Sequence, residues 1–182
     1  MRSKIAYLSL IFGVLALTSC STYRSSSSGY SNMSYYDPSD YEGRMPQHIS
    51  TGGERVVVVD PKVYSWGAYD KSGQLVRGGI ATAGGNVCEE GSGNCRTGVG
   101  TFRVSSVGDG GCFSKKYPRP NGGGLMPYCM FFNNGQALHG SPDGAVVENN
   151  ISHGCVRMRI PDAEWLRYNF VTNGTKVVVE PY

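Results

Sequence analysis

The sequence predicts a mostly β domain carrying one short helix near its C-terminus, on three observations. From Glu54 onward, valine-rich or alternating runs of four to nine residues recur, each bounded by glycine, proline or asparagine turn signals. Only one stretch, Pro161 to Phe170, carries the chemistry of a helix start. No internal repeat is present, and 182 residues suffice for one domain with a sizeable core.

The elements follow in order. Arg55 to Asp60 is a valine run suited to a buried strand, and Pro61 ends it. Lys62 to Tyr69 alternates loosely, with Tyr64, Trp66 and Ala68 on one face. Asp70-Lys71-Ser72-Gly73 is a turn, so Gln74 to Thr82 returns as the second strand of a hairpin. Gly84 to Gly98 is a glycine- and cysteine-rich loop, and Gly100 to Val107 another strand. Gly108 to Met126 is a long insertion holding Lys115, Lys116 and Arg119. A solvated loop is the plainer account of those charges, and contact with an anionic substrate the alternative. Pro127 to Phe132 and Gln136 to His139 flank an Asn133-Asn134-Gly135 turn. In the helix, Pro161 suits the first turn, Asp162 and Glu164 complement the dipole, and Trp165 and Leu166 supply core contacts. Asn173-Gly174 turns into a final strand, Thr175 to Glu180.

The N-terminus is of different material. Arg2 and Lys4 precede an apolar run, Ile5 to Leu17, that is short for a membrane span. Leu17-Thr18-Ser19-Cys20 then resembles a bacterial lipobox, so residues 1–19 are expected to be a lipoprotein signal peptide and Cys20 the lipidated residue. An ordinary signal peptide with a chance cysteine is the competing reading. Ser21 after the cysteine, by resemblance to Gram-negative sorting, directs the expectation to the outer membrane, facing the periplasm. Residues 20–53 read as a disordered serine- and tyrosine-rich tether, because Ser21 to Gln47 contains no Val, Leu, Ile or Phe. His48, near its end, reads as a solvated linker residue. The domain is thereby placed at 54–182. The formal charge of +3 is no polybasic signature and argues against nucleic-acid binding.

Cysteine use agrees with export. Besides Cys20 and Cys155 there are Cys88, Cys95, Cys112 and Cys129, for which three connectivities exist. Cys88–Cys95, closing the loop CEEGSGNC, with Cys112–Cys129 is the favoured pairing. A zinc site competes weakly, since the spacings are not CxxC, and free thiols are the remaining option.

Chemistry concentrates between residues 139 and 158, HGSPDGAVVENNISHGCVRM. A cysteine nucleophile needs a base to take its proton and donors for the oxyanion it creates. This segment offers Cys155, His139, His153 and glycines at 140 and 154. Read singly, each has a plainer account: Cys155 a small buried hydrophobe, His153 a hydrogen-bonded loop histidine, Arg157 a surface ion pair.

Taken together, HG…SHGCVR resembles the YkuD family, the L,D-transpeptidases of bacterial cell walls. Val56 to Thr82 resembles the family's opening hairpin, Thr97-Gly98-Val99-Gly100-Thr101-Phe102 its T-P-x-G-x-F element, and Met126-Pro127-Tyr128-Cys129-Met130 its M-P-Y-W-M segment. The resemblance implies a compact β-sandwich or barrel-like catalytic domain. It also implies Cys155 as nucleophile, His139 as general base oriented by a backbone carbonyl, His153 assisting, the backbone of Gly154 and Cys155 as oxyanion donors, and Ser152 shaping the turn. Arg157, Gly140, Ser141 and Tyr128 are expected at the substrate. No cofactor and no metal are implied. The expected partners are peptidoglycan stem peptides and an amine acceptor, of a second stem or of a protein, with the enzyme a monomer. Two departures bear on substrate shape: Gly98 where the family has proline, and Cys129 where it has an aromatic. Water as acceptor, giving a carboxypeptidase or endopeptidase, and a non-catalytic wall-binding lipoprotein are the alternatives.

Overall fold

The computed structural model describes residues 38–88, 93–116 and 122–182. The signal peptide, Cys20 and most of the expected tether lie outside them.

Two sheets hold the core between them. The first has five strands, in the order β3 (Leu75–Ile80), β2 (Ser65–Tyr69), β1 (Val56–Asp60), β9 (Lys176–Val179) and β4 (Gly100–Arg103). The second has four, in the order β5 (Ser106–Val107), β6 (Met130–Asn133), β7 (Gln136–Ser141) and β8 (Val156–Arg159). Most neighbours are antiparallel, but β1 runs parallel to β9 and β7 parallel to β8.

The valine run is buried on both faces. Val57 and Val59 point between the sheets with Trp66, Met130, Leu138, Val156, Val177 and Val179. Val56 and Val58 point outward and are covered with Tyr69 and Leu75 by Met45. Residues 38–53 therefore fold onto the domain instead of continuing a tether to residue 53. A short helix α1 (Pro38–Glu42) leads into a segment whose Gln47 carbonyl accepts from the Leu75 N–H at 3.0 Å, and whose Ile49 N–H donates to Gly73 at 2.9 Å. One buried methionine and edge-strand hydrogen bonds suffice to order a segment that composition alone places in the linker. Exposed His48 hydrogen-bonds the Ser72 carbonyl at 2.9 Å.

Three further differences have local causes. The predicted strand 100–107 divides, because the chain crosses between sheets at buried Val104. The strand predicted from Lys62 starts at Ser65, after Tyr64 adopts a left-handed φ of 54°. β8, four residues of V-R-M-R alternation, escaped the sequence reading. The C-terminal helix appears as α2 (Ile160–Trp165), continued by a π turn over Leu166–Phe170. Its Asp162 is buried and paired with Arg77 at 2.8 Å, so it anchors the helix to β3 instead of facing solvent at the dipole. Both favoured disulfides are present, Cys88–Cys95 with Cα atoms 5.2 Å apart and Cys112–Cys129 with 6.1 Å.

Candidate active site

A cleft of about 830 Å³ opens beside the four-stranded sheet, and Cys155, the free thiol among the described cysteines, lies in it. A smaller groove of about 390 Å³, on the outer face of the five-stranded sheet, is lined by neither cysteine nor histidine. The chemistry therefore belongs to the larger.

Strand periodicity builds the floor. In the parallel pair, His139 of β7 lies opposite Arg157 of β8, while their neighbours Leu138 and Val156 enter the core. Cys155, two residues before Arg157, falls on the same face as both. Thiol, imidazole and guanidinium thus share one side of the sheet, brought there by a parallel pairing whose strands are separated by the 142–155 loop.

His139 is 5% exposed. Its Nδ1 donates to the Gly140 carbonyl at 2.8 Å, and Ser141 Oγ stands 3.5 Å from the same nitrogen. With Nδ1 as the donor, Nε2 carries the lone pair a base requires. Burial holds this imidazole well below the usual histidine range, at about 4; the Gly140 hydrogen bond opposes that fall and the charge of Arg157 adds to it. Burial likewise pushes the Cys155 thiol up, and a hydrogen bond from the Ala137 backbone together with Arg157 draws it part of the way back. The resting pair is therefore neutral thiol and neutral imidazole. The two acids between them are engaged elsewhere, Glu148 with Arg44 at 2.8 Å and Asp143 with Arg159 at 3.9 Å.

The turn before Cys155 is tied by polar contacts. Ser152 Oγ donates to the Cys155 carbonyl and accepts from the Gly154 N–H at 3.1 Å. The Gly154 N–H, expected as an oxyanion donor, is thus already engaged. Gly154 itself is required: its φ is 112°, and a Cβ there would meet Gln136 Nε2 at 2.8 Å. His153 and Arg157 line the cleft, half-buried, and buried Ser141 lines it too.

Two expected substrate contacts are elsewhere. Gly140 is buried, and a Cβ on it would press on the Ile160 backbone at 3.0 Å, so its part is to pack and to hold His139 by its carbonyl. Tyr128 takes a left-handed φ of 59°, turns away from the cleft and donates from its hydroxyl to Glu164 at 2.8 Å.

Sequence reasoning missed the residues that hold the turn in place. Buried Thr97 accepts from the Gly84 N–H at 2.9 Å and donates to the Gly154 carbonyl at 3.0 Å. Tyr182 donates to the Gly84 carbonyl at 2.7 Å and accepts from the Thr97 N–H at 2.9 Å. Thr82 Oγ1 donates to the Val147 carbonyl at 2.6 Å. Gly98 also finds its reason here: its N–H donates to Gln136 at 2.9 Å, which proline cannot do, and a Cβ would meet Asn133 Nδ2 at 2.4 Å. The position of Thr97 in the TGVGTF element was the available signal; nothing local marked Tyr182.

The rims are closed covalently. Cys95 of one disulfide and Cys112 of the other line the cleft. Part of the long insertion is a paired flap, with Phe113 bridged to Leu125 and the Ser114 N–H donating to Gly124 at 2.8 Å. Among the described residues no cluster of His, Cys, Asp or Glu is arranged to hold a metal.

A thiol and a neutral imidazole oriented by a backbone carbonyl thus line one open cleft. The model of the YkuD family, the L,D-transpeptidase catalytic domain, matches residues 54–179, and the chain belongs to that family. Among solved structures it is similar to an L,D-transpeptidase of Xylanimonas cellulosilytica at 25% identity and a TM-score of 0.63, over 76% of this chain and 66% of that one. An L,D-transpeptidase of Stackebrandtia nassauensis is similar at 24% identity and a TM-score of 0.58, over 74% and 59%. The fold is also that of L,D-transpeptidase 3 of Mycobacterium tuberculosis, solved with a faropenem-derived adduct, at 22% identity and a TM-score of 0.56, over 70% and 60%. The chain thus spans less than two thirds of the length of these structures. No curated protein sequence matches it.

Proposed function

We propose that this protein is a peptidoglycan L,D-transpeptidase that works through a thioester on Cys155. One observation carries the reading: Cys155 lies in an open cleft with a buried, neutral His139 whose Nδ1 is committed to a backbone carbonyl. Nε2 of His139 takes the thiol proton as sulfur attacks the carbonyl of the third residue of a tetrapeptide stem. The backbone N–H of Cys155 steadies the oxyanion, while the Ser152–Gly154 contact keeps the turn rigid. Collapse breaks the peptide bond, and His139 returns its proton to the departing D-Ala amine. An acceptor amine then attacks the thioester, gives its proton to His139, and leaves the thiolate to be reprotonated. His153 borders this path from the cleft wall. Because the reaction never needs a stable ion pair at rest, a raised thiol and a depressed imidazole are compatible with it.

We place the enzyme in the cell envelope, lipidated at Cys20 and held at the outer membrane facing the periplasm. Two disulfides, which persist in oxidising compartments, support that placement. A faropenem-derived adduct in the mycobacterial relative supports a further expectation, that Cys155 is acylated by β-lactams of the penem and carbapenem classes.

The test is mass spectrometry of purified tetrapeptide muropeptides incubated with residues 21–182, beside a Cys155→Ala control. D-Ala release with new cross-linked dimers, absent from the control, supports transpeptidation. D-Ala release without dimers assigns water as the acceptor. No reaction with either protein would sink the proposal.

A further inference from the structure

The charged residues described along the cleft are of one sign. Arg96, Lys115, Lys116 and Arg157 all line it. Among the described lining residues there is no aspartate and no glutamate. The chain as a whole is nearly balanced, with 17 lysines and arginines against 14 acids, so the segregation is local. Arg96 is also fixed in place: its Nε donates to Asn86 Oδ1 at 2.5 Å and its guanidinium lies 4.7 Å from the centre of the Tyr182 ring. Lys115 and Lys116 are exposed on a flap rooted by the Cys112–Cys129 disulfide, which holds them near the cleft. Several cations lining one cleft attract a ligand with several negative charges, and low-dielectric cleft walls strengthen that attraction.

Stem peptides offer such a pattern, because each carries side and terminal carboxylates that bacteria either leave free or convert to carboxamides. An amide keeps the size of a carboxylate and loses the charge, so it isolates the electrostatic part of recognition. Resting on the transpeptidase reading, we propose that Arg96, Lys115, Lys116 and Arg157 make this enzyme selective for stem peptides with free carboxylates over amidated ones. Lys115 and Lys116 set the selectivity and touch no reacting atom. Each exposed cation–carboxylate contact is worth roughly two- to fivefold, and several acting together give a preference of about tenfold or more at low salt. The preference shrinks as salt is added, since the Debye length falls from about 30 Å at 0.01 M to about 8 Å at 0.15 M.

The experiment measures binding of two synthetic tetrapeptide stems, identical except that one has its carboxylates amidated, to the Cys155→Ala protein by calorimetry at 0.02 M and 0.3 M salt. Turnover of the same pair is followed with the parent enzyme. The expected result is tighter binding of the free acid, a preference that falls with salt, and a drop of about threefold or more in that preference in Lys115→Gln/Lys116→Gln. Equal affinity for both stems, or a preference the double variant leaves intact, overturns the proposal. Absence of turnover with both stems, alongside a salt-sensitive binding preference, overturns the catalytic reading and leaves the selectivity standing.

Discussion

The five-stranded sheet and the loop that presents Cys155 are held by different forces. The five-stranded sheet is fastened by apolar burial on both faces, with Val57 and Val59 inward and Val56 and Val58 beneath Met45. The four-stranded sheet gives one face to the core and the other to the cleft, and the loop that presents Cys155 is fastened by hydroxyls: Ser152 to Cys155 and Gly154, Thr97 to Gly84 and Gly154, Thr82 to Val147. Burial is non-directional and tolerates small shifts, whereas hydrogen bonds fix angles. Apolar burial is thus shared by both sheets, directional contacts are concentrated at the loop before Cys155, and the two are open to separate perturbation.

The largest effect expected from the catalytic side is chemical. Cys155→Ala abolishes D-Ala release and His139→Gln lowers it by roughly 10² to 10⁴, while thermal unfolding of both stays close to the parent. A large loss of stability in Cys155→Ala would break the separation. On the other side, Trp66→Ala, at a fully buried position of β2, costs about 3–5 kcal/mol in denaturant unfolding and leaves the rate per folded molecule unchanged.

Thr97→Val tests the middle ground. It leaves the Gly84 N–H and the Gly154 carbonyl without their partner in a buried site, at about 1–3 kcal/mol. It also loosens the turn before Cys155, so both unfolding and turnover fall. Turnover unchanged at full folding would show that the Ser152 contacts alone set the geometry.

Acid titration sharpens the comparison further. His139 is depressed to about 4 in the fold, against about 6.5 when unfolded. Between those values the unfolded chain binds the extra proton, so stability present above about pH 6.5 is lost as pH falls toward about 4, at up to about 1.4 kcal/mol per unit. Urea unfolding of the parent should weaken across this window more steeply than that of His139→Gln; parallel profiles would refute a buried neutral imidazole. The smallest effect is expected at the domain's entry, where Arg44 pairs with partly exposed Glu148 and Tyr41 donates to the same carboxylate at 2.7 Å. Arg44→Ala should cost within about 1 kcal/mol and leave turnover alone. A changed rate would mean that the segment ahead of the domain is coupled to the loop between His139 and Cys155.

Much of this architecture was legible because its cues are local. The valine run, the Asp70 to Gly73 turn and the Asn134-Gly135 turn each state a backbone preference within a few residues, and all three appear where expected. The disulfide pairing was legible because loop closure is a short-range matter for Cys88 and Cys95. The path of residues 38–53 was not, since its order depends on a groove formed by β1, β2 and β3. Tyr128 was misplaced for a related reason: motif position shows which residues travel together, and only a left-handed φ shows where one of them points.

The sequence by itself determined the class of fold and the family resemblance, singled out the thiol and the histidine, and favoured one pairing of the cysteines among three, because each rests on residue type and near spacing. The tertiary structure alone decided that β7 and β8 run parallel, that His139 and Arg157 stand side by side, that Thr97 and Tyr182 hold the turn, and that the cations converge on one cleft. Those are long-range pairings, chosen by how two sheets close over a shared core, and no short stretch of chain contains the information to choose them.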